Sequence, residues 1–353
     1  MASDGNGSDD NSKSDWLETA LRRHLSVLHE LESRTTTDHS DADRCLIWLA
    51  LERQVRAGMK GIEELSTATA DSEVLSRHRV ALQEMLAGAQ SELAHFDLAV
   101  RHQAVSALGV RVAVIGKGGA GKTLVSSTLA RTLARRGRKV LAVDLDPNPG
   151  LTYGLGMPLS DAGFPPEAFE AADDGTWMSK LAPSLGPLEV VERFSDSAPD
   201  GVRYLGLGKI TDPERNNMRR TLNAMFQVLL NFAEPGWDVI GDLEGGTNTP
   251  YQGYCRFADR VLLVVGPSWK SALTARRLLG LIGSLPVTIV SNRFGEAEDH
   301  PDLAPEIRIP FDQEVAEADR KGVALVDHCP GSPAVRAIED LADMLTHKEG
   351  ALL

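Results

Sequence analysis

From residue 15 to residue 108 the apolar positions recur every three or four residues. Leu17, Leu21, Leu25, Leu28 and Leu31 share one helical face, and Asp15 stands where it could cap the start of that helix. Leu51, Val55, Met59 and Ile62 mark a second helix, from about Asp41 to Leu65. Leu82, Met85, Leu86, Leu93, Phe96 and Val100 mark a third and longer one, from about Ser72 to Leu108. No proline interrupts the stretch. The pattern predicts an all-helical N-terminal domain over 15–108, folded as an antiparallel bundle or a long helical hairpin. Residues 1–14, mostly Ser, Asp, Asn and Gly, have little to bury and predict a disordered tail.

At Val110 the period changes. Val110–Ile115, Lys139–Val143, Trp237–Asp242, Arg260–Val265 and Val287–Val290 are short runs rich in β-branched residues, and helical stretches separate them. Such alternation predicts a doubly wound, mostly parallel α/β sheet covered by helices on both faces, occupying 109–353. Between about Thr152 and Gly201 the chain is Pro- and Gly-rich with weak periodicity, which fits either a lid or switch or an irregular insertion.

Composition narrows this picture. The chain has 353 residues and a formal net charge of -13, so its surface repels phosphate backbones and broad nucleic-acid binding is not expected. Cys45, Cys255 and Cys329 form no C-x-C or C-x-x-C pair, as in a reduced cytoplasmic protein. The N-terminus has no apolar stretch of a secretory signal. No run of about 18 apolar residues is present, so no transmembrane segment is expected.

The chemistry is concentrated after the first strand. Gly116-Lys117-Gly118-Gly119-Ala120-Gly121-Lys122-Thr123 satisfies G-x-x-x-x-G-K-[ST] in full, with a strand before it and a helix after it. The glycines let backbone N–H groups wrap phosphates, the helix N-terminus adds its positive dipole end, Lys122 reaches the β- and γ-phosphates, and Thr123 offers a hydroxyl to magnesium. Gly118, Gly119, Ala120, Gly121, Lys122, Thr123 and Leu124 are the expected nucleotide contacts. Asp144 and Asp146 close the second strand as D-x-D, where carboxylates face the ligand crevice of a parallel sheet. Asp242 ends a later strand, whereas Asp238 at its start reads as a solvated residue.

The wording Lys117-Gly-Gly-x-Gly-Lys-Thr resembles the deviant Walker A motif of the MinD/ParA family of P-loop ATPases. That resemblance covers about residues 110–346. It implies ATP and Mg2+ as ligands and an ATP-dependent homodimer in which Lys117 crosses to the partner's phosphates. It implies that Asp144 and Asp242 join Thr123 around magnesium, and that Asp146 orients the attacking water. It also implies that Gly245 and Gly246 sense the γ-phosphate, that Asn292 meets adenine, and that Pro310 and Phe311 lie against the adenine ring. Asn292-Arg293-Phe294-Gly295 is not the N-K-x-D of a GTPase.

Asp242-Leu-Glu-Gly-Gly246 is similar to the D-x-E-A-G of CooC-like accessory ATPases. Those carry C-x-C after a V-R-x-L-x-x-G-K strand, but here Val202–Lys209 is followed by Ile210–Asn217, with no cysteine. The thiolates of a metallochaperone are missing at that place, and His24, His29, His78, His95 and His102 show no tight ligand spacing. The expectation is an ATPase switch whose helical domain engages a protein partner or cargo. A nucleotide-gated scaffold with negligible turnover and a metallochaperone-like maturation factor are the alternatives.

Overall fold

A computed structural model describes residues 7–36, 39–66, 72–148, 150–158, 164–165, 168–171, 179–181, 185–208, 215–295, 300 and 302–347. The N-terminal helices are α1 (Gly7–Ser33), α2 (Asp41–Ser66), α3 (Ser72–Leu93) and α4 (Leu98–Ala107). Helix α1 thus begins at Gly7, inside the stretch that composition assigns to a tail, and Asp15 lies within it rather than at its cap. The single third helix expected from periodicity is two helices. The turn closes through His95 N–H to Glu92 O and Phe96 N–H to Leu93 O, and Asp97 re-enters at φ -62° and ψ 152° to start α4. The periodicity survives the break because Phe96 and Val100 both pack on the core built from Leu28, Leu51, Val55, Leu82 and Leu93.

The helical layer sits against the N-terminal end of the first strand. Arg53 Nη1 donates to Gly109 O at 2.6 Å, Gln54 donates to Leu230 O, and Arg34 pairs with Glu234 at 2.9 Å. Ala233 joins the helical core itself.

Within that layer the structure pairs two histidines that lie far apart in sequence. His24 Nδ1 and His78 Nε2 are 3.3 Å apart, and His24 occupies the space over Gly58, where an ideal Cβ would come within 2.2 Å of its ring. Burial, and for His24 also its neighbour His78, push both imidazoles down to about 4. The unfolded chain, with histidines near 6.5, therefore binds more protons than the folded one between these values. Stability from this pair is fully present above about pH 6.5 and is lost as pH falls toward 4. A melting-temperature series over that range should show an acid decline that a His24→Gln variant flattens.

The remainder forms one eight-stranded sheet among the described residues. Its strands are β1 (Arg111–Gly116), β2 (Lys139–Leu145), β5 (Asp196–Ser197), β6 (Arg203–Gly206), β7 (Trp237–Leu243), β8 (Arg260–Val265), β9 (Val287–Phe294) and β10 (Ile307–Pro310); β3 (Phe169–Ala171) and β4 (Ser179–Leu181) form a separate antiparallel hairpin. The order is β10-β9-β8-β1-β7-β2-β6-β5, parallel throughout except for β5 against β6. The helices after α4 are α5 (Lys122–Arg135), α6 (Leu151–Leu155), α7 (Pro187–Phe194), α8 (Arg215–Asn231), α9 (Asn248–Tyr251), α10 (Trp269–Leu279), α11 (Gln313–Lys321), α12 (Leu325–His328) and α13 (Pro333–Thr346). One face of the sheet packs on α7, α8 and α10, the other on α5 and α13, so both are apolar and the central strands are buried along their length. No helix among the described residues is long and apolar enough to cross a membrane.

Asp238 corrects the sequence reading. It has no exposed surface, and its carboxylate accepts from Val110 N–H at 2.7 Å and from Arg138 Nε and Nη2 at 2.5 and 2.7 Å. The start of β7 is not a solvent end because α4 and the chain entering β1 cover it: Arg138 Nη1 also reaches Ser106 O at 3.5 Å.

Candidate functional site

The chain leaves β1 for the right half of the sheet and returns through β7 before building the left half. The C-terminal ends of β1, β2 and β7 therefore lie side by side at the point where strand order reverses, the usual crevice for ligands in an open α/β sheet. Residues 116–123 span the gap from β1 to α5. Gly116, Gly119 and Gly121 sit at φ +152°, +77° and +99°. At Gly121 a side chain is excluded twice, since an ideal Cβ would lie 1.9 Å from Asn292 Nδ2. Gly118 and Gly119 are exposed, and nothing lies within 4 Å of where their Cβ atoms would be, so the open side of the arc faces outward.

Lys122 and Thr123 begin α5, and Leu124 follows half-buried in its first turn. Lys122 is only 7% exposed. An ideal Cβ on Gly245 would be 3.2 Å from its Nζ and 2.9 Å from Gly118, so the segment after β7 packs directly on the loop. Thr123 Oγ1 donates to Asp242 Oδ2 at 2.7 Å. Ser126, one turn on, donates to Asp242 Oδ1 at 3.2 Å. Sequence reasoning missed Ser126, although its spacing from Thr123 puts it on the same helix face.

Asp144 is fully buried. Its Oδ1 accepts from Asp146 N–H at 3.1 Å, and its Oδ2 accepts from Gly150 and Leu151 N–H at 3.1 and 3.0 Å. It thereby holds the start of α6 against β2. Asp146 is half-buried and accepts from Asn148 N–H at 2.8 Å. Burial pushes the carboxyls of both Asp144 and Asp242 upward, and Asp144 is raised further by the charge of Asp242; Thr123, Lys122 and Ser126 oppose the rise at Asp242. Two buried carboxylates beside a hydroxyl form an all-oxygen donor set with an excess of negative charge, which fits a small hard cation such as Mg2+. Lys117 is partly exposed, with Nζ 3.3 Å from Gly118 O of its own loop.

The base-side residues come together at the ends of β9 and β10. Asn292 is 2% exposed, its Nδ2 donates to Ala120 O at 2.7 Å, and its Oδ1 accepts from Arg293 N–H at 2.9 Å. Its amide therefore braces the P-loop. Pro310 closes β10, and Phe311 is 62% exposed, with its ring open to a stacking partner. Arg293 was not singled out by sequence; it sits at φ +60°, and its guanidinium donates to Gly119 O.

Helix α5 is locked in place from behind. Arg131, 1% exposed, pairs with Asp200 at 2.6 Å and Asp327 at 2.9 Å and donates to Leu155 O at 2.6 Å, tying α5 to α6 and α12.

The cysteines take no part in this site. Cys45 and Cys255 are buried, and burial pushes the Cys255 thiol up to about 12. Residues 209–214, where the C-x-C of CooC-like proteins would fall, lie outside the described residues.

Residues 112–326 match the family model described as the CobQ/CobB/MinD/ParA nucleotide binding domain. An ATP-binding protein of Methanocaldococcus jannaschii is 28% identical over 239 residues, 60% of this chain and 90% of that protein. The carbon monoxide dehydrogenase accessory protein CooC of Rhodospirillum rubrum is 26% identical over 249 residues, covering 63% and 91%. Among solved structures, the septum site-determining protein MinD of Pyrococcus horikoshii, complexed with Mg-ADP, superimposes with a TM-score of 0.53 at 20% identity, over 70% of this chain and 99% of that one.

Proposed function

Because the chain belongs to the CobQ/CobB/MinD/ParA nucleotide-binding family, we propose that it is a magnesium-dependent ATPase that closes as a homodimer around ATP and uses the cycle to engage a protein partner. The observation that carries the proposal is the convergence of Lys122, Thr123 and Asp242 at the start of α5, with Thr123 Oγ1 2.7 Å from Asp242. Thr123 and, through water, Asp144 and Asp242 would hold magnesium. When bound, the ion neutralises charge on the β- and γ-phosphates. Lys122 adds positive charge at those phosphates, and Asp146 orients the attacking water. Phosphoryl transfer needs positioning and charge stabilisation more than covalent catalysis, so these roles suffice. Lys117, whose ammonium among the described residues touches its own loop, is assigned to the partner's site. Phe311 and Pro310 are assigned to the adenine ring. The Mg-ADP held by the P. horikoshii protein supports the ligand assignment.

The helical domain, residues 15–108, is assigned to the partner. Support comes from a cavity of about 1620 Å³ whose lining includes Arg53 and Ala57 of α2, Phe226 of α8, and Glu244, Asn248 and Tyr251 after β7. Residues just after β7 thus share a surface with α2.

The test is the oligomeric state with and without ATP, with phosphate release followed in the same samples. Wild type should dimerise with ATP and return to monomer as phosphate appears. Asp146→Ala should stay dimeric without releasing phosphate. A monomer under ATP, or a dimer indifferent to nucleotide, refutes the switch.

A further inference from the structure

Three successive P-loop carbonyls are each taken by a side chain. Lys117 Nζ lies 3.3 Å from Gly118 O, Arg293 donates to Gly119 O, and Asn292 Nδ2 lies 2.7 Å from Ala120 O. Two of these side chains are consecutive residues at the end of β9, a strand of the opposite half of the sheet from β2 and α6. The Gly119–Ala120 peptide is the soft point of the loop, because Gly119 sits at φ +77° with open space around it and can flip its peptide plane at little steric cost. Ala120 N–H is turned back to Lys117 O at 3.0 Å, so the orientation of this one plane decides the shape of the whole 117–120 turn.

Arg293 is held in a backbone conformation that disfavours a side chain, φ +60°. Glycine would be the stable choice there. Asn292 anchors the arginine from the other side by accepting its N–H at 2.9 Å. Strain of this kind persists where the surrounding structure over-determines it, and it gathers at ligand sites. Among the described residues, the strained residue's side chain hydrogen-bonds to the phosphate loop.

We propose that Arg293 is a positioning residue for nucleotide binding: it pins the Gly119–Ala120 peptide plane and so keeps the phosphate loop in its receptive form. The proposal rests on the nucleotide site assigned above. Through Asn292 the same two residues link the base side of the site to its phosphate side, so occupancy of one end bears on the shape of the other.

Two substitutions separate the side chain from the backbone strain. Arg293→Gly removes both, and Arg293→Ala removes only the side chain. Affinity for ATP is read by titration of a fluorescent ATP analogue with magnesium, and thermal midpoints are read without nucleotide. Both variants should bind at least tenfold more weakly than wild type, while Arg293→Gly melts at or above the wild-type temperature and Arg293→Ala does not. Arg293→Lys, which keeps a donor within reach, should recover part of the affinity. Wild-type affinity in either variant overturns the proposal, because binding would then follow strain or stability and not the contact. Tighter binding also overturns it, since the arginine would then be holding the loop shut. Failure of wild type itself to bind the analogue would instead remove the nucleotide site on which the proposal stands.

Discussion

Replacing Lys117 with alanine is expected to lower ATP turnover by about 10²–10³-fold while leaving ATP affinity within roughly threefold of wild type. The magnitude is that of removing one preorganised positive group from a developing charge. The split between turnover and affinity follows from where the residue sits. Among the described residues of the protomer its Nζ meets Gly118 O, 3.3 Å away, and the phosphates are assigned above to Lys122, the glycine arc and the start of α5. Steady-state phosphate release and a nucleotide titration measure the two quantities. A mixing experiment then addresses the trans assignment. Lys117→Ala and Asp146→Ala are each expected to turn over slowly alone. In a mixed dimer, the site on the Lys117→Ala protomer keeps its own Asp146 and receives Lys117 from the other copy. Turnover should therefore rise on mixing. If Lys117 served its own site, no site in the mixture would be complete and turnover would stay at the level of the single variants.

Arg138→Met is expected to cost about 3–5 kcal/mol of folding stability, the usual penalty for removing one partner of a buried ion pair. Asp238 has no exposed surface, and two of its three hydrogen bonds among the described residues come from Arg138. Without the guanidinium a buried carboxylate keeps only the Val110 N–H. Arg138 precedes β2 at the end of the strands opposite the P-loop, so the loss should show in urea unfolding and not in the ATP affinity of the folded fraction. Adding Asp238→Asn should recover most of the loss, to within about 1–2 kcal/mol of wild type, because the amide oxygen still accepts from Val110 and no charge remains. A double variant no more stable than Arg138→Met would mean that the cost comes from lost packing of the arginine stem.

The same pair shows where sequence reading stops. Asp238 lies at the start of a strand, and a strand start is ordinarily a solvated edge. What buries it is the helical layer docked against that end through Arg53, Gln54 and Arg34. No local period reports that docking. The break between α3 and α4 was hidden for the opposite reason: Phe96 and Val100 keep the helical spacing across a turn, since both still face one core. His24 and His78 are 54 positions apart, and their contact depends on a glycine at position 58 of a third segment.

The chain by itself determined the P-loop, the Asp144 and Asp242 strand ends and the order of helices before sheet. Each is carried by residues within a turn or a strand of one another, where covalent spacing fixes geometry. Only the tertiary structure decided that Asn292 and Arg293 brace the P-loop, that Ser126 shares Asp242 with Thr123, and that Asp238 is buried. These depend on which elements meet across the sheet, and burial and long-range pairing are properties of that packing.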